Sequence, residues 1–279
     1  MTVAHLDRRV PSNELGVLLR YWREMRGLSQ LDLSVNTAIS QRHISFIESG
    51  RSVPGRQTLL NIAQSLDVPL RERNTLLLSA GYAPIYSEAG WNEQEKSSIT
   101  NAIGRLLRQH EPFAAIVMDR YWNVLMVNTA ATSFFSRFID MEARTGPRNI
   151  LHLILDPQGM RPYVANWEMV AWSLIQRAYR ETVGHVIDAQ TQQLLSALLA
   201  YPDVRPEWKW QGIYGSTSSM PVVPIGFIKD GSVLNYFSMI TTVGAPQAVA
   251  AQELRIECMY PADDQTEARH VAMLDGAKR

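Results

Sequence analysis

The sequence predicts an all-α domain followed by an α+β domain built on an antiparallel five-stranded sheet with helices. Three observations predict it. Short amphipathic helical periods fill the stretch from Asn13 to Ala80, and Gly81-Tyr82-Ala83-Pro84-Ile85-Tyr86 then breaks the period. Beyond that break, strand-like runs frame a central block of helices, in the order two strands, several helices, three strands. At 279 residues the chain is long enough for two separate cores. The boundaries drawn from these breaks are 1–81 for the helical domain, 82–110 for a linker and connecting helix, and 111–279 for the α+β domain.

Composition narrows the class. With 46% hydrophobic and 19% charged residues the chain reads as globular rather than disordered. The lone Cys258 has no internal disulfide partner, and its strand-like setting from Leu254 to Tyr260 makes it a small core hydrophobe. The first residues carry His5, Asp7, Arg8 and Arg9 without a signal-like apolar run, and no later run reaches membrane-spanning length. A cytoplasmic protein with no membrane partner is expected. Formal net charge is zero, yet residues 1–86 hold 10 Arg against 7 acids while the remainder holds 17 Lys and Arg against 20 acids. Only the front end has the sign that suits phosphates.

Pro11-Ser12 ahead of Glu14 marks a helix start, and Leu15, Leu18, Leu19, Trp22 and Met25 recur at helical spacing until Gly27. Ser29-Gln30-Leu31-Asp32 has the capping-box pattern that opens a second helix, running to about Asn36. After Thr37-Ala38-Ile39, Ser40 caps a third helix with Ile44 and Ile47 inward, ended by Gly50. Pro54 leads into a fourth through Leu59, Leu60, Ala63 and Leu66, and Pro69 into a fifth from Leu76 to Ala80. The outward side of the third helix presents Gln41, Arg42, Ser45, Phe46 and Ser49, with no acid before Glu48. Gln can bond an adenine edge, Arg a guanine edge, and an exposed aromatic can cover a thymine methyl.

These residues, Leu28-Ser29-Gln30 and then Ser40-Gln41-Arg42-His43-Ile44-Ser45-Phe46-Ile47-Glu48-Ser49-Gly50-Arg51, resemble the Xre/Cro family of phage-repressor-type helix-turn-helix proteins. The resemblance implies double-stranded DNA as partner, with Gln41, Arg42, Ser45 and Phe46 at base edges in the major groove. It also implies that Gln30, His43 and Arg51 hold phosphates, and that Glu48 pairs with an arginine of the same bundle. Ala38 stands where such turns commonly hold Gly or Asn, so a left-handed Ala38 would cost about 1 to 2 kcal/mol.

In the second half, Trp91 to His110 reads as a mostly polar connecting helix with a stripe of Ile99, Ile103, Leu106 and Leu107. Ala114–Met118 and Trp122–Val127 read as a hairpin, and Asn128 opens a helix through Phe134, Phe135 and Phe138. Tyr163–Glu181 and Asp188–Leu199 read as helices, then Val222–Lys229, Ser232–Val243 and Gln252–Tyr260 as strands before a last helix from Asp264. The expected arrangement places the helices on one face of the sheet.

The sequence Trp122-Asn123-Val124 leading to Asn128-Thr129-Ala130-Ala131 is similar to PAS-type sensor domains, and more narrowly the chain resembles the MmyB-like regulators. Leu151-His152-Leu153, Asp156-Pro157, Met160-Arg161-Pro162, Asn166-Trp167-Glu168 and Pro261-Ala262-Asp263-Asp264 carry that resemblance. The expected fold is thus an all-α helix-turn-helix domain followed by an α+β PAS-like domain. The family implies a homodimer formed through the sensor half and a cavity for a small apolar ligand such as a fatty acid or acyl derivative. Met118, Met126, Phe134, Phe138, Trp167, Val170, Leu174, Phe237, Met239 and Met259 are the expected lining, flexible methionines suiting an elongated ligand. Each of these residues equally suits a packed core. Arg161, Asn166 and Arg177 are candidate donors to a carboxylate head, although Glu168 and Glu181 can equally pair with the arginines.

Catalytic signatures are absent. His5, His43, His110, His152, His185 and His270 are scattered without metal-ligand spacing, so neither a metal nor a cofactor is expected. No nucleophile elbow or phosphate-binding glycine loop occurs, and Gly215-Ser216-Thr217-Ser218-Ser219 reads as a loop. The reading is a ligand-responsive, sequence-specific DNA-binding regulator and not an enzyme, dimeric on an inverted repeat. Two alternatives remain at this stage: a second domain that only dimerises or binds a protein, and an enzyme with an appended DNA-binding module.

Overall fold

The computed structural model describes residues 13–87, 93–182, 188–209, 224–244 and 246–275. Pro11, Ser12, Trp91, the 215–219 loop, Val222, Val223, His5 and His185 lie outside them. The chain divides into two compact units, one from residues 1–88 with 247–249 and one from the rest.

The first unit holds five helices, α1 (Glu14–Met25), α2 (Gln30–Thr37), α3 (Gln41–Glu48), α4 (Arg56–Ser65) and α5 (Leu70–Ser79). Their apolar stripes meet in one core of Leu15, Leu19, Trp22, Leu33, Ile44, Ile47, Leu59, Ile62, Leu66 and Leu76. The close approach of α1 to α3 depends on Gly16, where a Cβ would lie 2.5 Å from the Glu48 carbonyl oxygen. Asn74, buried on α5, donates to the Tyr86 carbonyl at 2.7 Å and accepts from the Ile85 and Tyr86 amides. The segment after Gly81 is therefore pinned to the bundle before the chain leaves it.

The second unit carries α6 (Glu93–Gln109), β1 (Ala115–Met118), β2 (Val124–Val127), α7 (Thr129–Phe135), α8 (Ile150–Leu155), α9 (Trp167–Thr182), α10 (Ala189–Leu199), β3 (Ile225–Lys229), β4 (Ser232–Thr242), α11 (Val249–Gln252), β5 (Arg255–Pro261) and α12 (Asp264–Asp275). The strands form one antiparallel sheet in the order β2-β1-β5-β4-β3. Alternation sends Ile116, Met118, Tyr236 and Met259 into a core shared with α7 to α10, and Ala115, Val117, Ile256 and Cys258 to the opposite face. That opposite face is covered by Ile99, Ile103, Leu106 and Leu107 of α6.

Helices therefore lie on both faces of the sheet, which corrects the one-sided arrangement expected above. The physical reason is visible in β1: all four of its residues are buried, as a central strand covered on both sides requires. The helix expected from Tyr163 begins instead at Trp167, because residues 161–163 form a 3₁₀ turn containing Pro162. The chain then runs extended against β3, where the Ala165 amide donates to the Gly226 carbonyl at 2.7 Å. α8 is an addition that no sequence period marked.

Candidate DNA-reading surface and ligand cavity

In the first unit, the Ser29 hydroxyl accepts from the Asp32 amide while the Asp32 carboxylate accepts from the Ser29 amide at 2.8 Å, so the capping box is closed. Ala38 takes the left-handed conformation, φ 57°, and turns the chain into α3, whose first turn Ser40 caps through the His43 amide. With Ile44 and Ile47 anchored in the core, helical geometry leaves Gln41 and Arg42 exposed and Ser45 and Phe46 half-exposed. His43 is half-buried and Arg51 exposed.

Glu48 is the buried hub behind that face. Arg23 donates to its two oxygens at 2.6 and 2.9 Å, Gln30 donates at 2.9 Å, and Arg20 lies 3.6 Å away. Burial works against the charged carboxylate, yet the hydrogen bonds from Arg23 and Gln30 outweigh it and hold Glu48 below the usual range. Glu48 thus pairs with an arginine of its own bundle, as expected. Gln30, expected to hold phosphate, spends its amide on Glu48, because the first residue of α2 reaches the buried end of α3.

The end of α3 closes with Gly50 at φ 74°, the Gly50 amide donating to the Ile47 carbonyl and the Arg51 amide to the Phe46 carbonyl. This is the hydrogen-bond pattern of a Schellman cap. The guanidinium carbons of Arg42 and Arg51 lie 5.3 and 5.8 Å from the centroid of the Phe46 ring. A row of exposed donors on one helix, without a carboxylate on the same face, can engage base edges and phosphates of a duplex.

In the second unit, a cavity of about 480 Å³ lies among β1, β2, α7, α8 and the 141–149 segment. Ile116, Val124, Val127, Ala131, Phe135, Ile150 and Leu153 give it an apolar wall, and Thr132, Glu142, Arg144, Arg148 and Asn149 supply its polar groups. Arg144 reaches Asp156 at 3.3 Å and the Pro147 carbonyl at 3.0 Å, while its Nε is a buried donor with no partner among the described residues. His152, hydrogen-bonded to Tyr201 at 2.7 Å, is held below the usual histidine range by burial and then by Arg144.

None of the residues expected to line the pocket borders this cavity. Met118, Phe134 and Val170 are packed solidly in the main core, because alternation on β1 and the period of α7 and α9 aim them inward, and Phe138 joins them from just past the end of α7. Leu174 and Met259 border a void of only about 30 Å³, next to Glu257, whose carboxyl burial pushes up. Met126 packs toward α6, Phe237 stacks on Tyr260, and Met239 is 54% exposed, all three belonging to the other side of the sheet. Arg161 and Trp167, stacked at 4.0 Å, border a shallow hollow with Pro157, Pro162, Pro202 and Asp203. The expected carboxylate donors are already engaged: Arg161 pairs with Asp203, Asn166 bonds the Pro224 carbonyl and the Gly226 amide, and Arg177 pairs with Glu181.

Sequence reasoning missed the cavity because its polar groups sit on a segment without periodicity. One signal was available: Asn149 ahead of the apolar run Ile150-Leu151 is a good N-cap, and its side chain accepts from the Leu151 and His152 amides. Among the described residues no group of His, Cys, Asp or Glu is arranged to hold a metal ion, and no helix is long and apolar enough to cross a membrane.

Comparison with known proteins bears on both units. Residues 99–272 match the family described as MmyB-like transcription regulator ligand binding domain, and residues 19–73 match a helix-turn-helix family. The chain is also 32% identical over 90 residues, 32% of its own length, to an uncharacterized HTH-type transcriptional regulator of Sinorhizobium fredii. That match spans 46% of the relative's length.

Proposed function

Because this chain belongs to the MmyB-like transcription regulators, its ligand-binding domain preceded by an Xre-type helix-turn-helix, we propose that it reads an operator as a homodimer on an inverted repeat and answers to a small apolar ligand. It acts in the cytoplasm and catalyses no reaction. Gln41, Arg42 and Ser45 meet base edges, and His43 and Arg51 meet phosphates, while Phe46 lies on the same face between Arg42 and Arg51. Two α3 helices about 34 Å apart would match one turn of duplex. The observation that carries this reading is the outward face of α3, which is accessible, rich in donors and free of acids.

A fatty acid or acyl derivative occupies the cavity bordered by Ile150 and Leu153, within the size range of about 300 to 1,000 Å³ usual for ligand pockets. Arg144 and Arg148 supply cationic donors suited to an anionic head.

Enrichment of one sequence from a random duplex library by the full-length protein tests the DNA reading. On the enriched duplex Arg42→Ala costs about 1 to 3 kcal/mol and relaxes preference at one base pair. Equal binding of Arg42→Ala and wild type to enriched and random DNA would overturn the base-reading role. Arg51→Ala weakens all sequences alike and flattens the salt dependence. Mass spectrometry of small molecules released from the purified protein tests the ligand; recovery of only polar metabolites sinks the acyl assignment.

A further inference from the structure

Phe46 occupies an unusual position on α3. It lies four residues after Arg42, so the two side chains share one face of the helix. It is also the third residue from the helix end, and the Gly50 turn brings Arg51 back over it, with the Arg51 amide 2.8 Å from the Phe46 carbonyl. In a Schellman cap these two positions usually make an apolar contact. Here the contact is a ring and a guanidinium, and a second guanidinium reaches the same ring from Arg42. Among the described residues neither arginine is paired with a carboxylate, since Glu48 is turned inward to Arg23.

Resting on the DNA reading above, we propose that Phe46 is a positioning residue whose ring holds Arg42 and Arg51 together, so that the base reader and the phosphate clamp engage DNA as one unit. The negative face of an aromatic ring attracts both cations and restricts their rotamers. Left alone on an exposed helix, two neighbouring guanidiniums would repel and sample many conformations, and that freedom would be lost on binding. The half-buried ring is fixed by the backbone of α3, so the pair is set before DNA arrives. A direct contact of Phe46 with a thymine methyl makes a different demand, because it needs a methyl at one base pair and says nothing about Arg51.

The test uses the full-length protein and the duplex enriched from a random library, with Phe46→Tyr, Phe46→Leu and the pair Arg42→Ala and Arg51→Ala in each background. Phe46→Tyr keeps the ring and should bind within about threefold of wild type, whereas Phe46→Leu should lose about tenfold. The Phe46→Leu slope of affinity against salt should fall by nearly the amount seen for Arg51→Ala, about one counterion. The two alanine substitutions should be non-additive with Phe46 present and additive in the Phe46→Leu background. Thermal melting of each variant separates these effects from loss of folding.

Equal affinity and salt slope for Phe46→Leu and wild type would overturn the proposal. So would a Phe46→Leu loss that vanishes when uracil replaces thymine in the duplex, since the ring would then be reading a methyl itself. Wild-type protein that enriches no sequence would instead remove the DNA reading, and this inference with it.

Discussion

Glu48 shows how one residue can set the stability of a reading head. Its carboxylate is buried and shared by Arg23 and Gln30, so removing it strands the Arg23 guanidinium in a nearly closed site. Glu48→Gln should destabilise the helical unit by about 3 to 5 kcal/mol, the usual result of breaking one half of a buried pair. A loss under about 1 kcal/mol in chemical denaturation would show the pair to be solvated. The pH dependence has a definite sign. A carboxyl held below its ordinary value stabilises fully above about pH 4.3 and loses that stabilisation as pH falls through its lowered value. Wild type should thus show an acid-labile step below about pH 4 that Glu48→Gln lacks. Gly16 makes the complementary point about space. An alanine Cβ would stand 2.5 Å from the Glu48 carbonyl oxygen, so α1 and α3 must part, at about 1 to 3 kcal/mol. An unchanged melting temperature for Gly16→Ala would mean that the helices yield freely.

Elements are where local sequence and long-range packing meet. Ala38 carries a left-handed backbone between α2 and α3 without the glycine that usually relieves it. Ala38→Gly should raise the stability of the helical unit by about 1 kcal/mol or slightly less, the relief of strain being partly offset by a freer unfolded chain. A destabilised variant would mean that the Ala38 methyl makes a contact worth more than the strain. On α12, His270 is buried between Tyr236 and the Pro112 carbonyl. A carbonyl only accepts, so Nε2 carries the proton and Nδ1 accepts from the Tyr236 hydroxyl. Burial depresses the histidine, with Arg137 adding to it against the Pro112 hydrogen bond. Its contribution is therefore complete above about pH 6.5 and fades as pH falls. The melting temperature of the second unit should drop between pH 7.5 and pH 5.5, and less so in His270→Gln; parallel curves would remove His270 from the cause.

Those same elements show what the amino-acid order discloses. The capping box at Ser29, the stop at Gly50 and the stripe from Ile99 to Leu107 are local, so they are legible without a structure. β1 was legible as a strand, while its burial on both sides was legible only in the lack of any polar alternation. Gly16, Asn74 and Arg144 were not legible, because each acts through a partner distant in sequence or through loop geometry. Of the expected pocket residues Met118, Phe134, Phe138, Val170 and Met259 do face inward while Met239 is exposed, and inwardness alone does not separate a filled core from a cavity wall.

At the scale of the whole molecule, regulation requires that ligand and operator each bias one shared equilibrium. Thermodynamic linkage fixes a relation between them whatever the path of coupling: if ligand changes operator affinity by some factor, operator changes ligand affinity by the same factor. With dodecanoic acid as probe, that factor should fall at about 5 to 150, the usual range for a regulatory coupling of about 1 to 3 kcal/mol. Val127 offers a control, since it borders the cavity, is 41% exposed, and pairs by its backbone with Ile116 on an edge strand. Val127→Trp should fill the cavity without breaking the sheet, weaken dodecanoate binding at least about tenfold, and leave operator affinity indifferent to the probe. If the operator affinity of Val127→Trp still responds as wild type does, the ligand acts from elsewhere. If the two measured factors are both near one, the domain binds its ligand without signalling to the reading head, and the regulatory coupling must come from assembly instead.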